Sequence, residues 1–293
     1  PEHSQVSLTL YNLDDDTNAT VTLASSDTGE GTVSPATLTF TGNNWNTAQT
    51  VTVTGVNDSE RDRHQDYRIS LSAANQLTDN PEVTTFAGSG SSGSTDATGT
   101  SAKFKKPRGI TTDGTNLYVA DMDNHKIRKI VIATGVVTTF AGSGSQGSTD
   151  ATGTSATFKH PWGITTDGTN LYVADSSNNK IRKIVISTGV VTTLAGSGSS
   201  GSTDATGTAA SFNYPSGIVT DGTNLYVTDY RNHRIRKIVI STGVVTTFAG
   251  SSAGSTDATG TSAKFNYPGG VSIDGTNLYV ADYVNHKIRK IAI

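Results

Sequence analysis

Groups that could attack a substrate, shuttle a proton or hold a metal are few in this sequence, and most of them repeat. It contains six histidines and no cysteine, which excludes thiolate zinc sites, iron–sulfur clusters, cysteine nucleophiles and disulfides. His125, His233 and His286 share one position of an internal repeat, and Asp121, Asp175, Asp229 and Asp282 share another. Symmetry spreads such groups apart instead of converging them on one ion. A structural hydrogen bond is therefore expected of each histidine, and backbone bonding or turn capping of each aspartate. Only His160 is unique among the histidines of the repeats. No Gly-x-x-x-x-Gly-Lys-Ser/Thr phosphate loop occurs. Stretches such as Gly88-Ser89-Gly90-Ser91-Ser92-Gly93 are expected to be low-complexity surface loops. The expectation is a protein that is no enzyme and carries no cofactor.

Binding chemistry is better represented, at positions where the repeats differ. After the recurring Phe104, Phe158, Phe212 and Phe265 come Lys105-Lys106-Pro107-Arg108, Lys159-His160-Pro161-Trp162, Asn213-Tyr214-Pro215-Ser216 and Asn266-Tyr267-Pro268-Gly269. A second varying pair reads Met122-Asp123, Ser176-Ser177, Tyr230-Arg231 and Tyr283-Val284. One loop face is expected to gather Lys106, Arg108, His160, Trp162, Tyr214, Tyr230, Arg231, Tyr267 and Tyr283. Aromatic rings beside polar groups suit sugar or peptide stacking or a protein interface, and some of the rings would instead pack between neighbouring units.

The elements that position these residues follow from the repeat. Phe86, Phe140, Leu194 and Phe248 are spaced 54 residues apart. Each unit offers four strand candidates, such as 109–112, 117–120, 126–132 and 136–141, with turns at Asp113-Gly114 and Thr134-Gly135. Four strands per unit of this length is the arithmetic of a propeller blade. The Asn124-His125-Lys126-Ile127 stretch and its counterparts, Asn178-Asn179-Lys180-Ile181, Asn232-His233-Arg234-Ile235 and Asn285-His286-Lys287-Ile288, resemble NHL repeats over residues 83–293, with Asn179 departing from the pattern. The orphan strand at residues 83–88 and a last repeat that stops after its third strand predict a closed four-bladed propeller, residues 83–88 pairing with the final blade. Part of a six-bladed propeller is the alternative. Some NHL relatives are zinc-dependent lyases and some bind RNA through a basic face. The twelve Lys and Arg of the repeated Lys/Arg-Ile-Arg-Lys strands are expected to ring the outside and make no single patch, so no nucleic acid is expected.

Period-two alternation before the repeats, at Val6, Leu8, Leu10, then Ala19, Val21, Leu23, then Leu38, Phe40, Val51, Val53 and Tyr67, Ile69, Leu71, predicts an antiparallel sandwich. The text from Gly31 to Phe40 and from Asn44 to Val56 resembles bacterial Calx-β-like and immunoglobulin-like modules, over residues 5–74. The resemblance implies a calcium loop at Asn57-Asp58-Ser59-Glu60-Arg61-Asp62-Arg63-His64, but Asn57, His64 and two arginines make it a poor site, and Asp14, Asp15 and Asp16 could add ligands. It also implies one strand before Gln5, whose lack would leave an open edge.

The expected organisation is thus all-β: a sandwich at 1–80 and a propeller at 81–293. Residues 1–82 hold 12 acids against 3 bases, and residues 83–293 hold 13 against 19, so an overall charge of −3 conceals an acidic and a basic half. No apolar run approaches the ~20 residues needed to cross a bilayer, and the start at Pro1 lacks the regions of a signal peptide and suggests a processed or clipped chain. The expected function is a bacterial extracellular structural or adhesive scaffold, without membrane insertion. Its expected partners are copies of itself, joined head to tail into a filament through the opposed charges, and surface glycans. A glycan- or peptide-binding receptor using the aromatic face is the alternative, and a metal-dependent lyase or hydrolase the third.

Overall fold

Alternation does produce strands in the first unit, and its inward positions make the core. The structure is a computed structural model that describes residues 3–8, 19–26, 28, 31–41, 47–55, 69–73 and 83–293. The chain divides into two compact units, Pro1–Val83 and Thr84–Ile293. In the first, β1 (His3–Leu8), β5 (Gln49–Gly55) and β3 (Gly31–Ser34) form one antiparallel sheet in the order β1-β5-β3. A second sheet runs β4 (Thr37–Phe40), β2 (Ala19–Ser25), β6 (Ile69–Ala73). Val21, Leu23, Leu38 and Phe40 from the second sheet meet Val51 from the first in one buried cluster. The predicted calcium loop at residues 57–64 and Asp14, Asp15 and Asp16 lie outside the described residues.

In the second unit each 54-residue repeat folds into its own antiparallel sheet. The first contains β7 (Ala97–Thr98), β8 (Pro107–Thr112), β9 (Asn116–Asp121), β10 (Lys126–Val131) and β11 (Val136–Ala141), ordered β7-β11-β10-β9-β8. The second is β12 (Pro161–Thr166), β13 (Asn170–Asp175), β14 (Lys180–Val185) and β15 (Val191–Ala195), in sequence order. The third, β16 (Pro215–Thr220), β17 (Asn224–Asp229), β18 (Arg234–Val239) and β19 (Val245–Ala249), repeats it. The fourth has three strands: β20 (Pro268–Ile273), β21 (Asn277–Asp282) and β22 (Lys287–Ala292). These are propeller blades. Their inner strands sit side by side, and the buried clusters span neighbouring blades, as where Tyr118 and Ile127 of the first meet Phe158, Leu171 and Val173 of the second. Each large apolar side chain so buried contributes about 1.5–3 kcal/mol.

The inner strands approach so closely that only glycine fits where they pass. A Cβ on Gly109 would lie 2.6 Å from the carbonyl oxygen of Trp162, one on Gly163 2.2 Å from that of Ser216, and one on Gly217 2.6 Å from that of Gly269. The equivalent Gly270 has nothing within 4 Å. This departs from the expected closure. Residues 83–88 form no strand, and β22 is the outermost strand of its sheet. Ile110 is 60% exposed where Ile164 and Ile218 are 5% exposed, and Ile288 is 74% exposed where Ile127, Ile181 and Ile235 are fully buried. The four blades therefore form an arc with two open faces. The physical reason lies in the pitch of the blades, since the inner strands β8, β12, β16 and β20 pack in succession but β20 does not come round to pack on β8; the orphan segment meanwhile keeps its bonds to the loop that follows it, the Gly88 N–H donating to Gly99 O and the Ser89 N–H to Ala102 O. The same bonds, from Gly142 to Gly153 and from Ser143 to Ala156, join a fourth strand to the loop that follows it. Residues 84–89 thus stay docked beside the first blade.

A second difference concerns the arginines expected outside. Arg128, Arg182 and Arg236 are fully buried and Arg289 is 8% exposed. The pairing of β10 with β11 shifts register between Ile127 and Arg128, as do the equivalent pairs in the next two blades. The guanidinium of Arg128 bonds Asp121 at 2.9 Å and Asp96 at 2.5 Å, and lies over the Phe104 ring. The contacts recur in all four repeats. The glycine- and serine-rich loops that carry Asp96, Asp150, Asp204 and Asp257 are therefore structural straps across each blade.

Candidate functional site

The face where the varying residues gather is built by bonds that do not vary. A short 3-10 turn, such as Met122–Asn124, follows the second strand of each blade. The Asp123 N–H donates to Lys105 O, and Asp121 Oδ1 accepts the Lys105 N–H at 2.7 Å. The turn and the entry to the first strand are thereby clasped together. Asn124 completes the clasp, its side-chain amide donating to Asp121 Oδ2 and to Gly93 O. Burial pushes the Asp175 carboxyl up to about 6, against the pull of Asn178, the Lys159 N–H and Arg182. A raised carboxylate is a signal of catalysis only where substrate can reach it; Asp175 is fully buried and ion-paired.

Each clasp presents one residue in a strained conformation just before proline. Lys106, His160, Tyr214 and Tyr267 have φ between +49° and +55°, a region unfavourable for bulky side chains. Such a conformation costs about 1–3 kcal/mol and persists where its surroundings over-determine it. Here the preceding blade does so. The His160 N–H donates to His125 Nδ1 at 3.2 Å, Tyr214 N–H to Asn179 Oδ1 at 2.9 Å, and Tyr267 N–H to His233 Nδ1 at 3.0 Å. The repeated histidine is thus a latch between blades, and Asn179 does the same work with an amide. Lys106 N–H and His286 Nδ1, at the two open faces, have no such bond among the described residues. Burial holds His125 and His233 below the ordinary imidazole value, with His160 adding to the effect at His125.

The structure brings the predicted site residues into three groups. Between the first and second blades, the Arg108 guanidinium lies over the Trp162 ring at 4.3 Å, and His160 Nδ1 is 2.9 Å from Ser177 Oγ. Lys106 bridges Asp123 at 2.9 Å, which holds that carboxyl below its usual range. His160, Trp162, Ser177 and Tyr214 line, with Met122 and Asp123, a shallow pocket of about 210 Å³. On the third blade Arg231 lies over Tyr214 at 3.8 Å. At the third junction Tyr230 and Tyr267 pack at 4.9 Å, with Tyr267 also edge-on to His233. Burial raises the Tyr230 hydroxyl, as do Tyr283 and Tyr267. Trp162 and Tyr214 keep over a third of their surface open and Tyr283 two thirds, whereas Tyr230 and Tyr267 are half-buried. Among the described residues no three His, Asp or Glu side chains are grouped to hold a metal.

Comparison with known proteins gives one of the repeats a name. Residues 212–238 match the family described as NHL repeat. The chain is 30% identical over 233 residues to protein suppressor of quenching 1, chloroplastic, from Arabidopsis thaliana, covering 71% of this chain and 22% of that protein. NHL repeat-containing protein 2 of Gallus gallus is 29% identical over 249 residues, covering 72% of this chain and 34% of its own length. The chain thus spans between about a fifth and a third of the curated relatives it matches. A solved protein of unknown function from Bacteroides thetaiotaomicron is 26% identical with a TM-score of 0.54, covering 64% of this chain and 47% of its own. The second unit thus contains an NHL repeat, has NHL-repeat relatives and resembles propellers in its repeated sheets.

Proposed function

We propose that this protein is a non-catalytic, extracellular structural or adhesive scaffold of bacterial type, whose propeller docks partners on its aromatic loop face. The observation that carries the proposal is the division of labour within the repeat. The groups with acid–base or ligand chemistry are consumed by the frame: each buried aspartate by its arginine, and His125 and His233 by backbone N–H groups of the next blade. Among the residues that change between repeats, those before the prolines share one backbone conformation, and Trp162, Tyr214 and Tyr283 keep their rings open to solvent. In this proposal the first unit is a Calx-β-like, immunoglobulin-like spacer.

A second reading, a glycan- or peptide-binding receptor, is favoured by the Arg108–Trp162 and Arg231–Tyr214 stacks beside the small pocket. Stacked guanidinium groups fix each ring plane and leave the other ring face for a sugar or a planar peptide group. Capture of the purified chain on arrays of surface glycans and peptides tests both. Capture that falls about tenfold or more in Trp162→Ala or Tyr214→Ala, with an unchanged melting temperature, supports docking on the loop face. Capture unaffected by either change moves the site elsewhere, and stoichiometric zinc with turnover would favour an enzyme.

A further inference from the structure

The frame treats the blades alike, but charge on the loop face does not. Residues 105–108, 122–124, 159–162, 176–178, 213–216 and 230–232, the face loops of the first three blades, carry Lys105, Lys106, Arg108, Lys159 and Arg231 against the single acid Asp123. The corresponding loops of the last blade, residues 266–269 and 283–285, carry no charge. The charged end is also where the pocket of about 210 Å³ lies, between Met122 and Asp123 of the first blade, His160, Trp162 and Ser177 of the second and Tyr214 of the third.

Two cations beside this pocket have unspent hydrogen-bonding capacity. A buried repeat arginine such as Arg128 spends its terminal nitrogens on Lys103 O, Asp121, Thr95 O and Asp96. Arg108 and Arg231 are exposed and held over the Trp162 and Tyr214 rings, and their guanidinium groups have no hydrogen-bond or salt-bridge partner among the described residues. A guanidinium stacked on a ring keeps its N–H edge for a planar anion, which it grips with two parallel bonds. Inside the pocket the chemistry changes. Asp123 takes Lys106 at Oδ2, an ion pair that holds its carboxyl below the usual range, and Oδ1 remains to accept a hydroxyl. His160 Nδ1 is shared with Ser177 Oγ, which leaves Nε2 open. These groups stand beside the apolar surfaces of Met122 and Trp162, so hydroxyl partners and a stacking surface coincide, as a sugar ring with its polar rim and C–H face requires. The strained backbone at Lys106, His160 and Tyr214 fixes the arrangement before any ligand arrives.

We infer that this pocket receives an acidic glycan: one ring of a uronic-acid chain sits against Trp162 with its hydroxyls on Asp123, Ser177 and His160, and the carboxylates of that ring and its neighbour pair with Arg108 and Arg231. The inference rests on the receptor reading of the loop face and narrows what is received. A neutral glycan would leave both guanidinium edges to water. An acidic peptide would bring carbonyls and carboxylates against Asp123, where a hydroxyl is wanted. A pocket of this size admits one ring and leaves the rest of the chain along the surface, where the two arginines lie.

The test is calorimetric titration of the full chain in about 0.15 M salt, where charges are screened beyond ~8 Å. The probes are oligomers of galacturonate, of mannuronate and of hyaluronan, each beside its methyl ester, with a glutamate-rich peptide and a single-stranded oligonucleotide of equal charge. At least one uronate oligomer is expected to bind about tenfold or more tighter than its ester. Arg108→Gln and Arg231→Gln should each weaken the acid by about fivefold to tenfold and the ester by less than about twofold. Arg108→Lys keeps the charge but not the fork, and should lose most of what Arg108→Gln loses. Both arginines are exposed, so melting stays as in the wild type. Acid and ester bound equally, or an acid preference untouched in both glutamine variants, would overturn the inference; loss of that binding in Trp162→Ala would then keep the receptor reading. Tighter binding of the peptide or the oligonucleotide than of every uronate would overturn it in favour of that ligand. No binding of any probe would overturn the inference and the receptor reading together.

Discussion

Acid should loosen two of the three blade junctions and spare the third, because two latches are imidazoles and one is an amide. His125 and His233 accept a backbone N–H through Nδ1, which requires that nitrogen to be unprotonated. Protonation would set two donors against each other. Both rings are held below the unfolded value of about 6.5. A group whose folded pKa is depressed contributes stability that is fully present above about pH 6.5 and is lost as pH falls through the folded value. A buried donor left without its acceptor costs about 1–3 kcal/mol, and linkage between about 6.5 and about pH 5 caps the loss at about 2 kcal/mol per imidazole, so two junctions lose about 2–4 kcal/mol. For a unit the size of residues 84–293, each kcal/mol moves Tm by about 2–4 °C. The charges facing these rings are His160, Asp123 and Lys105 at His125, and Asp282 at His233. All of them remain in the variants. The assay is thermal unfolding at about pH 7.5 and about pH 5 of the wild type, of His125→Asn/His233→Asn, and of Asn179→His. Asn179 already serves as the amide version of the latch, so the double variant should fold normally and lose most of the acid shift, while Asn179→His should enlarge it. Carboxylates such as Asp175, whose raised value acts in the opposite sense, titrate in all three and cancel. An acid shift of equal size in wild type and double variant would refute the latch.

Two further expectations follow from the packing. Arg182→Ala leaves Asp175 buried without its cation and should cost about 3–5 kcal/mol by chemical denaturation, whereas Lys183→Ala on the same strand should cost little. Gly163→Ala forces a Cβ onto the Ser216 carbonyl and should lower Tm strongly, while Gly270→Ala, with open space around it, should be near neutral.

Much of the blade was legible because its signals are local: the Asp-Gly turn after Thr112, the alternation in Leu117-Tyr118-Val119, and the repeat spacing itself. The positions that vary were legible for the same reason, although the structure divides their side chains into three groups. What was hidden is non-local. Arg128 sits in a strand that reads as outward from its lysines, and what buries it is an aspartate on the neighbouring strand and another 32 residues away in a loop that crosses the blade. Its partner Asp96 lies in a stretch whose small residues suggest a featureless loop, although the identical Ser-Thr-Asp-Ala-Thr-Gly around Asp150, Asp204 and Asp257 was a signal that the aspartate is required. The left-handed backbone of His160 and Tyr214 was also unreadable, since a following proline argues for extended chain and the N–H acceptor comes from another blade. The expected ring failed on the same ground. Matching text at residues 83–88 gives compatibility with β22, but the pitch at which one inner strand packs on the next is non-local and leaves β20 short of β8.

The junctions between blades are chemically interchangeable, and this bears on how such a chain can change length over generations. Excising residues 141–194 would join Phe140 directly to Ala195, a step from one repeat to the identical point of the next. The shortened protein would keep a latch, a passing glycine and a strap at every remaining boundary. Tandem duplication would lengthen it by the same logic, so unequal crossing-over between near-verbatim copies of the coding text yields foldable products, and the number of docking loops becomes a heritable variable separate from what each loop binds.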